Sequence, residues 1–217
     1  MKKQLRWRIA QYFEVRWWKN YLAPKDWDVY LNWKKGYWRG ILNTISPVVT
    51  ISTDTTLADI GCGPAGVFIA FPKQMVLALD PLLEQYEANI PAFKRNSFAN
   101  VQFLAQPFET YEAKSQQDVV FCMNAINHFQ DLKGSFKRLQ AMVAPKGYLV
   151  ITIDGHRFSF FRWLFSRVPL DILHPHQYYL TEYERMVDNK EFDLVLTHLQ
   201  KKEPLFNHYL LVFKRRS

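Results

Sequence analysis

At 217 residues the chain is long enough for one substantial domain with a small appendage. Its residues are 48% apolar and 22% charged, which permits a buried core without disulfides. Cys62 and Cys122 lie inside apolar runs with no C-x-x-C or Cys/His spacing, which excludes a disulfide framework and a zinc cluster and suits a reducing, cytoplasmic setting.

The formal charge of +8 is unevenly placed. Residues 1–50 carry ten Lys/Arg against three Asp/Glu, a balance of +7, and six of the seven tryptophans fall in the first 38 positions. The basic start is not followed by an uncharged apolar run, so neither a signal peptide nor a transmembrane helix is expected. Residues 4–22 place Leu5, Ile9, Tyr12, Phe13, Val15 and Trp17 at helical spacing before the breaker Pro24. A second helix is expected from Asp26 through Tyr30, Trp33, Tyr37 and Ile41 to Pro47. The segment 1–50 therefore reads as a helical cap whose aromatic faces pack on the body. Nucleic acid, a membrane surface and an anionic substrate are its other possible partners.

From residue 51 the pattern changes. Short apolar runs at 57–60, 75–79, 101–104, 118–122 and 147–153 fit strands buried on both faces, as in a parallel sheet. Residues 192–199 alternate, and 208–213 form a last strand close enough to pair with them antiparallel. The expected fold is α/β: a seven-stranded, mostly parallel sheet with helices on both faces, its last strand pair antiparallel, preceded by the helical cap. The body spans 51–217, with an insertion at about 155–180 expected to act as a lid.

The most informative segment is Leu57-Ala58-Asp59-Ile60-Gly61-Cys62-Gly63-Pro64-Ala65-Gly66. A strand ends, the chain turns on glycines, and a helix is expected from Pro64, limited to about two turns by Pro72. Glycines let a ligand approach the backbone, and a helix start offers free N–H groups. Nineteen residues after Gly61, at the end of the second strand, Asp80 can accept hydrogen bonds from ribose hydroxyls. Together they mark a nucleoside site. The G-x-G-x-x-G wording also fits a flavin or nicotinamide fingerprint. Asp59 argues against that reading, because a carboxylate is disfavoured beside a pyrophosphate but suits the ammonium of an amino-acid tail.

The run Leu57–Gly66 resembles motif I of class I S-adenosylmethionine-dependent methyltransferases, and Val76-Leu77-Ala78-Leu79-Asp80-Pro81-Leu82 resembles their acidic motif II. Asn100–Glu109 is similar to the third strand and adenine loop, Asp118–Phe129 to the fourth strand and its active-site loop, and Leu139–Ile153 to the helix and fifth strand. The resemblance covers about residues 55–153 in unbroken order. It departs at Ala65, where the family has its third glycine, and at Gln106-Pro107, where an acidic residue is common. It implies S-adenosylmethionine as cofactor, held by Asp59, Gly61, Gly63, Asp80, Pro81, Leu82, Gln106, Pro107, Phe108 and Asn124.

Methyl transfer from a sulfonium needs in-line placement, and a base chiefly when oxygen is the acceptor. His128, just beyond the fourth strand, is the candidate base; the alternative is a histidine that packs or caps a helix, as residues in such a loop often do. Asn127 can orient a ligand or cap the next helix. His174, His176 and Tyr178 are candidates for a polar substrate wall, and a metal site is not expected there. Five aromatics within 158–165, among them Phe161 and Trp163, suggest an apolar lid over the acceptor, ahead of a buried helix or an interfacial anchor. The leading expectation is methylation of a small-molecule or amphiphilic, lipid-like acceptor, with peripheral membrane contact as an accessory possibility. The alternatives are an RNA methyltransferase using the basic segment, although the chain lacks the Asn/Asp-Pro-Pro-aromatic loop of base-amino methylation, and a non-catalytic methyltransferase-like binding module.

Overall fold

The computed structural model describes residues 2–156, 178–203 and 206–217. Phe161, Trp163, His174 and His176, and most of the expected lid, lie outside them.

Two helices open the chain, α1 (Lys2–Leu22) and α2 (Trp27–Ile45). The chain breaks at Pro24 and restarts at Asp26, whose carboxylate accepts the Val29 N–H at 3.0 Å and so caps α2. Helix α2 buries one stripe, Tyr30, Trp38, Ile41 and Ile45, at helical spacing. Helix α1 is less one-sided. Val15, Trp18 and Tyr21 pack on the core, while Tyr12, Phe13 and Trp17 are exposed.

The strands are β1 (Leu57–Ile60), β2 (Val76–Leu79), β3 (Val101–Leu104), β4 (Gln117–Cys122), β5 (Val143–His156), β6 (Phe192–Lys202) and β7 (Phe206–Arg215). Among the described residues they form one seven-stranded sheet in the order β3-β2-β1-β4-β5-β7-β6. β1 to β5 run parallel; β7 pairs antiparallel with β5, and β6 with β7. The last two strands run beyond the apolar pattern because the backbone ladder continues into the polar Lys201 and Lys202.

Alternate residues of each strand feed two cores. Val150, Leu210 and Val212 face α1, α2 and α3 (Leu83–Asn89). Leu149, Ile151, Leu211 and Phe213 face α4 (Leu132–Met142) and a short helix α5 (Leu180–Glu184). Strand order reverses between β1 and β4, and ligands of open α/β sheets bind at the carboxyl ends of strands beside such a reversal.

One expected element is different. After the glycine turn the chain makes two 3-10 turns, Gly63–Ala65 and Val67–Ala70, instead of an α-helix. Asp59 Oδ2 takes the Phe68 N–H at 3.0 Å, a donor that an α-helix from Pro64 would need for its own ladder, and Gly66 between the turns is extended.

Candidate functional site

β1 delivers the chain into the glycine turn at the reversal point. The Gly61 and Cys62 N–H groups donate back to Leu79 O at 2.7 and 3.3 Å, tying the turn to β2. Gly61 (φ 71°) and Gly63 (φ 56°) hold left-handed conformations that side chains with a Cβ resist. A Cβ on Gly61 would also collide with the Ala125 side chain from the loop after β4.

Asp80 follows β2 directly, and its carboxylate accepts the Gly63 N–H at 2.9 Å and the Leu82 N–H at 2.8 Å. The acid is fixed to both loops at the carboxyl ends of β1 and β2. It borders a cavity of about 80 Å³ walled by Gly61, Leu82, Phe108, Asn124 and His128. Pro81 lines the same space, so the structure brings together Gly61, Asp80, Pro81, Leu82, Phe108, Asn124 and His128, which are far apart in sequence.

The other expected site residues are placed elsewhere. Asp59 is buried beneath the turn, its carboxylate turned to Phe68. Gln106 lines a separate cavity with Thr56 and Met75, because the turn at Pro107 swings Phe108 inward and leaves Gln106 behind. Glu109, three residues on, borders the first cavity and accepts the Gln130 N–H at 2.8 Å. Asn127 does not cap α4, a task that falls to Asp131; it bridges Tyr183 and Asp154 instead. Tyr178 packs edge-on against Tyr183, ring centroids 5.6 Å apart, on the core opposite α2.

Helix α1 roofs the first cavity with Trp7, Ala10, Gln11 and Glu14. Tyr86 Oη donates to Glu14 Oε1 at 3.0 Å, and Trp18 stacks edge-on against Tyr86. Helix α2 is pinned to the glycine turn where Trp38 Nε1 donates to Ala65 O at 3.1 Å. These roof residues were not foreseen from sequence. The available signal was Glu14, the one acid in the otherwise basic α1.

Burial dominates the electrostatics. It pushes the Asp59 carboxyl up to about 7, with Asp80 adding to the rise and the Phe68 N–H opposing it. Asp80 is likewise raised to about 7, by burial first and then by Glu14, and Glu14 is itself raised by burial. Lys34 on α2 is lowered by burial to about 8, while the negative field of Asp59 holds it up. Its ammonium lies 4.3 Å from the Tyr37 ring centroid and 4.6 Å from that of Trp38. Cys62, within the turn, has its thiol driven upward by burial and by both aspartates, so it is no nucleophile at neutral pH.

A carboxyl raised on folding binds its proton more tightly in the native state than in the unfolded chain. That contribution is complete below the unfolded pKa, near 4, and is lost as pH rises through about 7. The melting temperature should therefore fall between about pH 4 and pH 7, a window set by these shifts. Asp59→Asn, which keeps an oxygen for the Phe68 N–H, should flatten that fall in a thermal-unfolding series across pH.

A second cavity, of about 490 Å³, shares Asn124 with the first. Its walls are Tyr37 and Thr44 of α2, with His198, Glu203 and His208 from the β6–β7 side. Asn124 (φ 55°) is locked to β5, its N–H donating to Thr152 Oγ1 at 2.6 Å and its Oδ1 accepting from that hydroxyl at 3.1 Å. Among the described residues no cluster of metal-binding side chains is present.

A Rossmann-like sheet with a glycine turn at β1 and a ribose-type acid after β2 defines a nucleoside-binding α/β domain. Within that class, the methyltransferase-domain family profile matches residues 30–198, and the chain belongs to this family, whose members share the class I S-adenosylmethionine-dependent fold. The chain is 27% identical over 136 residues to a ubiquinone biosynthesis O-methyltransferase of Rickettsia bellii, covering 55% of each chain. It thus spans about half the length of the curated relatives it matches. The fold is shared with phosphoethanolamine N-methyltransferase 2 of Haemonchus contortus (TM-score 0.66, 15% identity, 83% of this chain and 53% of that one). It is also shared with magnesium protoporphyrin IX methyltransferase of Synechocystis (TM-score 0.58, 12% identity, 83% of each chain).

The residues present suit S-adenosylmethionine in kind: a carboxylate for a ribose diol, an apolar wall at Phe108, and a turn at Gly63 that carries no Cβ. The space is a different matter. Small-molecule pockets usually span about 300–1,000 Å³, and the first cavity, as roofed by α1, is smaller than that.

Proposed function

We propose that this chain transfers a methyl group from S-adenosylmethionine to a small, amphiphilic acceptor that presents a hydroxyl group. The observation that carries the reading is Asp80, fixed by the Gly63 and Leu82 N–H groups at the mouth of β2 and facing a cavity at the strand reversal. When bound, the cofactor supplies an electrophilic methyl on a sulfonium. The chain's own residues bind the ribose at Asp80, enclose adenine near Phe108 and Glu109, and orient the reacting end at Asn124. The second cavity, which shares Asn124 with the first, would take the acceptor.

Two features support the acceptor class. The Rickettsia relative is named for O-methylation in ubiquinone biosynthesis, which supports an oxygen acceptor. The exposed Tyr12, Phe13 and Trp17 share α1 with Arg8, Arg16 and Lys19, a pairing that suits peripheral contact with an anionic membrane surface where such molecules reside. Among the described residues no helix is long and apolar enough to cross a membrane. Both cysteines are free and buried, which fits the expected cytoplasmic setting.

Two measurements test the proposal. S-adenosylhomocysteine at a hundredfold over its Kd should stabilise the fold by about 2.7 kcal/mol, a rise of about 5–10 °C in Tm for a chain of this size. Tritiated S-adenosylmethionine should label 4-octylcatechol presented in mixed micelles, and should leave total RNA unlabelled. Label transferred to RNA, together with RNA binding that survives physiological salt, would replace this reading with the nucleic-acid one.

A further inference from the structure

We infer that His208, held by Asp154, is the general base for the acceptor hydroxyl. This rests on the methyltransferase reading above and assigns the proton transfer within it.

The β5–β7 register sets Asp154 directly opposite His208, and the Asp154 Oδ1 to His208 Nδ1 distance is 2.5 Å. The second oxygen of Asp154 accepts from Asn127 Nδ2 at 3.2 Å, and Asn127 Oδ1 accepts from the hydroxyl of the buried Tyr183 at 2.8 Å. A chain of three side chains reaching into the core thus fixes the carboxylate that fixes the imidazole. An ion pair that is one-third exposed contributes about 0–1 kcal/mol on its own, so stability does not account for such an anchored arrangement. Orientation does. In the assignment proposed, Nδ1 carries its proton toward Asp154 and the Nε2 lone pair is left for chemistry. Nε2 is 3.4 Å from Glu203 Oε2, a second carboxylate that the acceptor hydroxyl must displace, and His208 lines the second cavity. That cavity shares Asn124 as a wall with the cofactor cavity, which His128 borders.

In the step proposed, the acceptor O–H bond breaks and its proton moves to His208 Nε2. The oxygen lone pair forms the new C–O bond as the methyl–sulfur bond breaks with its pair to sulfur. The imidazolium formed faces the Asp154 and Glu203 carboxylates, and its proton then leaves to water through the open cavity. A positioned base of this kind contributes about 10²–10⁴-fold. The titratable and charged groups facing His208 are Asp154 from β5, Asn127-bound Tyr183 behind it, His198, Lys201 and Glu203 from β6 and the following turn, and Tyr37 from α2.

The test uses the full chain with ¹⁵N-labelled histidine and bound S-adenosylhomocysteine, in the wild type, His208→Gln and Asp154→Asn. Long-range ¹H–¹⁵N spectra should show His208 protonated on Nδ1, with its Nε2 signal moving when 4-octylcatechol is added. Asp154→Asn should redistribute the tautomers. His208→Gln should lower kcat/KM for 4-octylcatechol by about 10²–10⁴-fold, with the affinity for S-adenosylhomocysteine unchanged. An Nε2–H tautomer, or a His208→Gln enzyme with wild-type kcat/KM, overturns the assignment. Wild-type transfer to a thiol or amine probe but to no phenol overturns it as well. If the underlying methyltransferase reading is what fails, S-adenosylhomocysteine does not bind at all, and the base assignment falls with it.

Discussion

Asp80→Ala should weaken S-adenosylhomocysteine binding by about 10²–10⁴-fold, measured by titration calorimetry, because two hydrogen bonds from ribose hydroxyls to a carboxylate are lost and such bonds contribute about 1.5–3 kcal/mol each. The carboxylate is held by two backbone donors and walled by Phe108 and Leu82, so water replaces it poorly as a partner for the ribose. Its pKa gives the prediction a second arm. Burial raises Asp80 to about 7, and ribose hydroxyls favour the ionised form, so binding should release protons near neutrality. Wild-type affinity should climb between about pH 6 and pH 8, and the climb should be absent in Asp80→Ala. Equal affinity of the two proteins across that range would remove Asp80 from the site.

Gly61→Ala should cost about 2–5 kcal/mol of stability, the sum of a left-handed backbone at a residue with a Cβ and an overpacked contact. The added carbon meets the Ala125 side chain, which belongs to the loop that walls the cofactor cavity. Ala125→Gly in the same chain should recover the packing part and leave the backbone part, about 1–2 kcal/mol. A denaturant series on the two single variants and the double variant separates these contributions. Additive losses would show that the two loops do not touch in solution.

The strands at Leu57–Ile60, Val76–Leu79 and Val101–Leu104 were legible in sequence because a strand covered on both faces must be apolar at every position. Gly61, Gly63 and Asp80 were legible because left-handed turns and a strand-end acid leave a fixed spacing. What stayed hidden are meetings between distant segments. Tyr86 reaches Glu14 across 72 residues, Asp154 finds His208 through strand register, and Lys34 comes near Asp59 only when α2 docks. Periodicity tells which face of a helix turns inward; it does not tell which side chain waits there. Gln106 and Phe108 flank the turn at Pro107 and line different cavities, a separation that motif spacing does not show. The 3-10 turns after Gly63 escaped for a similar reason: a buried carboxylate two residues upstream of Gly61 captured a helix donor.

The α1 roof also makes time a property of this site. With the cofactor bound as proposed, a spent nucleoside would lie beneath Trp7, Gln11 and Glu14, and its exchange would wait until the Tyr86–Glu14 contact parts. Turnover would then not outrun the opening of that helix, however fast the methyl group moves. Tyr86→Phe, which unties the contact while keeping the ring, should quicken dissociation of S-adenosylhomocysteine in stopped-flow and leave single-turnover transfer nearly unchanged. The clock of the reaction would then reside in a helix that touches neither the bond made nor the bond broken.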